Sequence, residues 1–582
     1  MEAPRKGLFG GMLADLKRRA PHYISDWVDG FHPKIIAATL FMYFTSIAPA
    51  ITFSTVLDTA TKVDGVSQIG AVEVLLSTAI TGAIFSIFGG QPLCIVGVTG
   101  PVSIFTVTVF TMAKGLGVNF LPFYAWCQLW AALMHVVLAM TNCCTLISWV
   151  TRYSCETFGF LIAVIYLYTG IKDLVSYFGS DHTSSLLQLV LGLGTAWLAV
   201  TLTGARSWVI MRKWARNLVA DYGATFAIIF FTAVPYMGKN ADVDIEKLDV
   251  PEAFGTTSGR SWMVDLGALP AWAVFLAIIP GFILTVLFFF DHNVSSLLAQ
   301  APEFGLKKGT AYHWDFFVVG LQILLTGLLG IPPVNGLIPQ APLHTASLAE
   351  IDVVKQPDGK TREVITHVHE QRVSNLLQAA LIGMMVSDPL LKVLGLIPKA
   401  TLDGLFLYMG LASFPGNQFY ERVMLQFTEP ALRDSHHAYL DAVPFPVIRR
   451  YTAVQFALLV AIFLITLTPA AMLFPVLIAV LVPLRRQVFP RYYSPAHLAA
   501  LDSGGEENTH GKDLEGEGED AEAKAEMGGG EPFPAGEAAE AGGDTAGLRH
   551  RTSSSGVRGG GAGVVPVDGK LAAAGAPDGP GS

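Results

Sequence analysis

Long stretches without a charged side chain recur from residue 35 to residue 484. The chain is 52% hydrophobic and 15% charged, whereas a soluble globular chain carries about 25% charged residues. Apolar runs near ~20 residues are read as membrane-spanning helices. The apolar segments lie at 35–57, 70–88, 93–111, 121–143, 156–175, 185–204, 223–237, 270–290, 314–330, 331–348, 375–395, 400–413, 450–468 and 470–484. The sequence therefore predicts an all-α polytopic membrane protein with about 14 transmembrane segments.

Charged residues alternate between the two sides when fourteen spans are counted. The connection 238–269 is mainly acidic and falls on the side opposite the N-terminus. Lys and Arg concentrate on the N-terminal side, at 5–19, 152, 206–216, 307–308, 355–372, 422–450 and 485–491. Because cytoplasmic loops carry the excess of Lys and Arg, this pattern predicts that both termini are cytoplasmic. No cleaved leader is expected, since the polar and basic opening has no short apolar core.

Three regions follow from composition. Residues 1–34 form an amphipathic N-terminal segment, 35–498 form the transmembrane domain, and 499–582 form an acidic, Gly- and Ala-rich tail that is expected to be disordered. The five cysteines lie in or beside apolar runs without CxxC spacing, which favours buried thiols. Neither a P-loop nor HExxH spacing is present, and His367 and His369 are expected to be solvated loop residues. No cofactor, metal, enzymatic activity or nucleic-acid partner is expected.

Two apolar segments contain residues that interrupt a helix. The stretch GVTGPVSIF occupies 97–105, within the third segment, and GIPPVNGLIPQ occupies 330–340, at the tenth. A helix broken within lipid leaves backbone groups without partners, at a cost of several kcal/mol each, so the breaks should face the protein interior. Gly97, Gly100 and Gly336 would let the backbone approach a ligand closely.

Each break can be explained as the start of a half-helix, a short helix that begins inside the membrane and points its N-terminus at a bound ligand. Proline suits the first turn of such a half-helix, and Pro101 and Pro333 are both predicted to occupy that place. GVTGPV at 97–102 and GIPPV at 330–334 read as weak echoes seven segments apart. An odd number of spans inverts the second copy, and paired breaks in inverted halves predict a midplane binding site. The alternative for either segment alone is a packing kink.

Polar groups in the apolar runs add to this site. Thr99 and Ser103 flank the first break, and Asn335 and Gln340 flank the second. Asp291 follows the run LFFF, where an ionisable group indicates function; the alternative is a solvated or helix-capping carboxylate. Gln91, in GGQPL, either orients the first broken segment or satisfies a loop.

Five motifs together resemble a known family. They are GGQPLCIVGVTGPVSIF, FFFDHNVSSLLAQ, GLLGIPPVNGLIPQAPLHTASL, EQRVSNLLQA and FPGNQFYERV. In this order, they resemble the bicarbonate-transporter-like anion exchanger family, and within it the borate transporters of plants and fungi. The likeness extends from about Asp26 to His497.

The resemblance implies two inverted seven-span repeats, a core and a gate domain, and a homodimer formed through the gate domains. It implies a functional role for Asp291 and a substrate site between the third and tenth segments, near Thr99, Gly100, Pro101, Val102, Val334, Asn335 and Gly336. The reading of the residues adds Ser103 and Pro333 to the predicted substrate-binding set and Gln91 to Asp291 as a predicted coupling or gating residue. Some plant members carry glutamate where this chain has Gly100, which leaves fine selectivity open.

The expected function is transport of borate or a related small anion, outward across the plasma membrane, by alternating access. Membrane lipids are the expected surroundings. Three alternatives remain at the sequence level: bicarbonate or chloride exchange on the same fold, nucleobase or sulfate transport on a similar architecture, and a non-transporting scaffold or sensor.

Overall fold

Apolar helices account for most of the computed structural model. It describes residues 7–502 except 180, 249, 251–252, 356–360, 431–432, 434–437 and 469–472. These residues belong to one compact unit, Met1–Thr509. The second unit, His510–Ser582, lies outside the described residues, as does all but the start of the predicted tail 499–582.

The first half of the chain contributes eleven helices and three short strands to the described part. They are α1 (Gly10–Arg19), α2 (Tyr23–Val28), α3 (Pro33–Ala60), β1 (Lys62–Val63), β2 (Val66–Ser67), α4 (Ala71–Phe88), β3 (Val96–Gly97), α5 (Gly100–Leu116), α6 (Phe120–Met140), α7 (Arg152–Ser176), α8 (His182–Thr203), α9 (Lys213–Ala233), α10 (Ala271–Leu276) and α11 (Ile278–Ala299).

The second half continues with a further half-helix and a hairpin. Its elements are α12 (Tyr312–Leu329), β4 (Asn335–Gly336), α13 (Gln340–Ser347), β5 (Ala349–Lys355), β6 (Thr361–Val368), α14 (Val373–Met384), α15 (Asp388–Leu394), α16 (Lys399–Ala412), α17 (Gln418–Phe427), α18 (Ala438–Ala442), α19 (Phe445–Thr466), α20 (Phe474–Pro483) and α21 (Pro495–Asp502). Strands β5 and β6 pair in antiparallel fashion.

Nine helices of the described part are long and apolar enough to cross a membrane. Each of the fourteen predicted segments overlaps a helix or half-helix, but several are short, so the count of fourteen crossings stays a prediction. The segment predicted at 375–395 is not one straight helix, because α14 and α15 meet at 97°. Pro389 lacks an N–H and therefore starts a new helix in its first turn instead of continuing α14.

The helices pack in two groups. In the first helix group, α6 lies against α11 and α12, α14 lies against α3 and α4, and the half-helices α5 and α13 pack among them. In the second helix group, α16 packs on α7 and α8, α8 packs on α9, and α19 and α20 pack on α7. Each group therefore draws helices from both halves of the chain.

The packing repeats when the halves are exchanged. In two repeats of seven segments, the fourth segment (α6) is equivalent to the eleventh (α14). Helix α6 packs on the first two segments of the second half, α11 and α12. Helix α14 packs on the first two segments of the first half, α3 and α4. In the same numbering, α7 is equivalent to α16 and α8 is equivalent to α19. The contact of α16 with α8 therefore has its counterpart in the contact of α7 with α19. This exchange is what two structurally equivalent seven-segment halves produce, and it supports the repeat expected from the broken segments.

A buried ionic cluster fastens the N-terminal segment to the first helix group. Asp26 is fully buried and contacts Arg19 at 2.9 Å, Lys308 at 2.9 Å and Arg372 at 3.0 Å. Arg372 Nη1 also donates to the carbonyl of Gly89, just beyond the C-terminus of α4. Since one carboxylate binds cations from three chain segments, these four side chains, called the Asp26 cluster, hold α1 and α2 against the helix ends.

The Asp26 cluster yields a stability prediction. Asp26→Asn would remove the carboxylate that Arg19, Lys308 and Arg372 share, and breaking such a buried pair costs about 3–5 kcal/mol, so the melting temperature of the purified protein should fall clearly. Asp29→Asn is the matched control, because Asp29 is 45% exposed and, among the described residues, its ion pair is with Lys308. It should change the melting temperature little. Equal melting temperatures for the two variants in intrinsic-fluorescence scans would contradict this account.

Candidate functional site

Two interrupted segments meet inside the first helix group. Strand β3 precedes the half-helix α5, and strand β4 precedes the half-helix α13. The strands pair in antiparallel fashion, Val96 opposite Gly336 and Gly97 opposite Asn335. Leu337 N–H extends the ladder by donating to Ile95 O at 2.8 Å. We call these paired strands and the helix starts that follow them the junction.

The first break forms as the sequence predicts. Thr99 is the N-cap of α5, and its hydroxyl accepts a hydrogen bond from Val102 N–H at 3.4 Å. Pro101 lies in the first turn, where its missing N–H leaves no partner unsatisfied. A Cβ on Gly100 would lie 3.2 Å from the Phe53 ring, so the backbone here runs close to α3.

The second break differs from its prediction. Pro333 does not start the half-helix; it lies in an extended stretch before β4, and α13 begins at Gln340 with Pro339 as its N-cap. Two consecutive prolines cannot donate to a helix and force the preceding residue to be extended, which explains the late start. Each strand ends in glycine, Gly97 in β3 and Gly336 in β4, so the sequence echo is VGVTGP at 96–101 with NGLIPQ at 335–340, rather than with 330–334.

Neighbouring helices satisfy the backbone of the junction. Ser77 of α4 donates to Pro332 O at 2.5 Å, and Gln128 of α6 donates to Ile331 O at 3.1 Å. Asn375 of α14 donates to Cys94 O, and Ser295 of α11 donates to Leu337 O. These bonds supply what an interrupted backbone lacks in lipid, so the breaks face protein, as expected.

Asp291 lies within α11 rather than at its end, and it is 2% exposed. Asn335 is its side-chain neighbour from β4. Among the described residues, Asp291 Oδ1 and Asn335 Nδ2 have no hydrogen-bond partner. The alternative in which Asp291 is solvated or caps a helix therefore does not hold, and a carboxyl acceptor and an amide donor lie beside each other at the junction.

The remaining predicted site residues divide by exposure. Thr99, Gly100 and Pro101 are partly exposed, whereas Val102, Ser103, Pro333, Val334, Asn335 and Gly336 are buried. The Ser103 hydroxyl donates to Thr99 O and thus serves its own helix. Gln91 is buried before the first break, and its backbone N–H donates to Asp315 Oδ2 at 3.1 Å, which makes it a support of the segment.

Several supporting residues were not predicted. Side-chain amides support the junction from two helices: Asn375 and Gln378 in α14, and Gln128 in α6. The sequence feature that could have identified them is an amide side chain in an otherwise apolar helix. Tyr166 in α7 is within 3.4 Å of the Gln340 amide at the start of α13, which brings the second helix group to the half-helix.

A cavity of about 410 Å³ reaches α13 from one end of the protein. Ile338, Pro339 and Pro342 line it on the half-helix side, and Arg152 and Glu156 line it on the α7 side. Residues 302–304 also line it and belong to the same connection between α11 and α12 as Lys308 of the Asp26 cluster, so this part of the lining lies on the side of the N-terminal segment.

Comparison with known proteins decides the family. The family described as the HCO3⁻ transporter integral membrane domain matches residues 7–185 and 180–506. The chain belongs to this family. Boron transporter 1 of Saccharomyces cerevisiae is 38% identical over 436 residues, 73% of each chain. Boron transporter 4 of Arabidopsis thaliana is 33% identical over 603 residues, 86% of this chain and 87% of its own. The human Band 3 anion transport protein is 30% identical over 85% of this chain and 56% of its own.

Membership in this transporter family makes the protein an integral membrane transporter of an anion. The junction supplies the chemistry that such a substrate needs. Two helix N-termini present partially positive ends, and Thr99 and Asn335 offer hydrogen-bonding side chains beside them.

The close packing of β4 generates a prediction. A Cβ on Gly336 would lie 2.9 Å from Ser295 Cβ and 3.1 Å from His292 Cα, so Gly336→Ala must push β4 away from α11. Overpacking of this kind costs about 1–3 kcal/mol, and anion flux in vesicles should fall together with the melting temperature. Gly115→Ala is the control, since a Cβ there meets nothing within 4 Å. Normal flux and stability in Gly336→Ala would mean that the strand packing is looser than described.

Proposed function

We propose that this protein exports borate, or a closely related small anion, across the plasma membrane by alternating access. The observation that carries the proposal is the junction: two broken segments from equivalent positions of the chain pair with each other, beside the buried carboxyl of Asp291 and the buried amide of Asn335. The names of the yeast and Arabidopsis relatives, both boron transporters, support borate as the anion. The protein acts as a transporter and not as an enzyme.

Tetrahydroxyborate fits the chemistry of the junction. It carries one negative charge, which the N-termini of α5 and α13 attract, and four hydroxyl groups, which donate to and accept from side chains such as Thr99 and Asn335. The substrate-binding residues in this proposal are those at 99–103 and 333–336. Within this set, the buried Ser103 and Pro333 contribute by shaping the site rather than by contacting the anion directly.

Asp291 gives the transporter a means of coupling. Among the described residues Asp291 has no cationic partner within 4.0 Å, and two negative charges side by side at membrane depth repel each other strongly. Borate is therefore held best when Asp291 carries a proton, so anion and proton move together. Gln91 contributes by fixing the start of the first broken segment on Asp315.

The two helix groups supply the moving and stationary parts. The first helix group contains both half-helices and serves as the core domain, and the second serves as the gate domain. The cavity that reaches α13 lies between α13 and α7, one from each group, and gives a path to the N-terminal side. With the N-terminus in the cytoplasm, the structure corresponds to an inward-facing state.

The wider setting follows from the sequence pattern. We propose that both termini are cytoplasmic, that residues 1–34, 35–498 and 499–582 act as N-terminal segment, transport domain and tail, and that the protein is a homodimer in contact with membrane lipids. The basic clusters on the N-terminal side support the orientation. Bicarbonate or chloride exchange is the second candidate, which the family description and the Band 3 likeness favour.

Flux in vesicles tests the substrate. Purified protein reconstituted into lipid vesicles should move boron down its gradient, faster when a pH gradient drives protons in the same direction. Bicarbonate at equal concentration should compete weakly. Rapid bicarbonate or chloride exchange without boron flux would overturn the borate proposal in favour of the second candidate.

Asp291→Asn tests the coupling. The isosteric change removes the exchangeable proton, so boron flux should fall by about tenfold or more and lose its response to the pH gradient, because buried ionisable groups at membrane depth carry function. The control is Asp403→Asn, since Asp403 is also buried but accepts a hydrogen bond from Tyr177, away from the junction. It should retain most of the flux. Unchanged flux in Asp291→Asn at several pH values would rule out this role.

A further inference from the structure

Outside the junction, three metal-ligating side chains from distant parts of the chain lie together. They are His32, just before α3, Glu350 in β5 and His369, just after β6. One ligand atom from each lies within 4.8 Å of the others. No transport step proposed above uses them.

The positions of these side chains are set by the local structure. Glu350 pairs with His367 in the β5–β6 ladder, which brings the neighbouring His369 to the same end of the hairpin. His369 N–H donates to Leu348 O at the C-terminus of α13, so the base of the hairpin is anchored to the half-helix. His32 is the N-cap residue of α3, and its backbone is therefore fixed by the helix start.

The side-chain geometry is close to that of a coordination site. His369 Nε2 lies 3.0 Å from Glu350 Oε1, and the rings of His32 and His369 stack with centroids 4.3 Å apart. Ligand atoms bound to one tetrahedral ion at about 2.0–2.1 Å lie roughly 3.3 Å from each other. The His369–Glu350 pair is close to this spacing, and the ligand atom of His32 lies within 4.8 Å of both.

We propose that His32, Glu350 and His369 form a binding site for a divalent transition-metal ion of the zinc class. Two imidazoles and one carboxylate are a ligand set that Zn²⁺ accepts, with water completing a tetrahedral site. His367, whose ring centroid lies 5.0 Å from that of His369, is an available fourth ligand. Nitrogen ligands disfavour Mg²⁺ and Ca²⁺, which prefer oxygen.

The hydrogen bonds that His369 and His32 make without metal leave each imidazole able to bind a metal ion. In the absence of metal, a neutral His369 makes the contact with Glu350 by donating its Nε2–H; in the metal-bound form the proton resides on Nδ1 and the Nε2 lone pair faces the metal. His32 Nδ1 accepts a long hydrogen bond of 3.3 Å from Lys34 N–H. A neutral imidazole has a single lone pair, so metal binding gives up this weak bond for a metal–nitrogen bond.

A metal bound here would tie the start of α3 to the hairpin that follows α13. Both helices belong to the first helix group and contact each other. The ion would therefore brace this group internally, and its first effect would be on the stability of the folded protein, by the usual linkage between binding and folding. This inference stands apart from the identity of the transported anion.

Zinc binding to the full-length, detergent-purified protein tests the proposal. Added Zn²⁺ should compete with a chromophoric chelator for one strong site per chain and should raise the melting temperature. His32→Ala and His369→Ala should each weaken that site by about tenfold or more, since loss of an outer-shell partner alone costs ~10–100-fold. Glu350→Gln, which keeps the side-chain shape, should also weaken it, and Mg²⁺ should not compete.

The matched control is His182→Ala, an exposed histidine at the start of α8, remote from the cluster in sequence. It should bind Zn²⁺ and gain thermal stability as the unmodified protein does. Absence of a strong site in the unmodified protein, or equal zinc affinity in all four variants, would overturn the proposal. Size-exclusion profiles identify any variant that misfolds, and Glu350→Gln then decides the outcome, since its exposed side chain is not needed for folding.

Discussion

The need to pair backbone N–H and C=O groups away from water governs this structure. A chain that breaks two helices in the membrane interior must give the freed groups partners. Here the two breaks partner each other, through the short ladder between Val96–Gly97 and Asn335–Gly336. Side chains of four surrounding helices bind the carbonyls that remain, and so these helices must carry polar residues in apolar surroundings. The placement of a potential anion site follows from this one pairing, because the helix starts at Gly100 and Gln340 are fixed by it.

The division into two helix groups follows from the same arrangement. Equivalent breaks can meet only if the two halves of the chain interleave, and the packing of α6 on α11 and α12 matches that of α14 on α3 and α4. The second helix group approaches the junction through few polar contacts, such as Tyr166 with Gln340. A sparse contact of this kind allows one group to shift against the other, which transport by alternating access requires.

The sequence predicted the local features well and the long-range ones poorly. The break at 97–101, its N-cap Thr99 and the place of Pro101 follow from local backbone chemistry. Pro333 was assigned wrongly, because the start of α13 depends on strand pairing with a segment far away in sequence. In the same way, Asp291 was singled out as an acid after an apolar run, with a solvated or capping carboxylate as the alternative, but its neighbour Asn335 could not be identified from spacing. His369 was expected to be a solvated loop residue, and its contacts with His32 and Glu350 were missed because three separate segments bring these side chains together.

An experimental cryo-EM map of the borate-bound protein tests the central claim most directly. The account predicts that both segments are interrupted, that Gly97 lies opposite Asn335, and that density for one small tetrahedral ligand lies between the starts of α5 and α13, within hydrogen-bond distance of Thr99 or Asn335. A continuous helix through either segment, or ligand density only in the cavity beside Arg152, would contradict it.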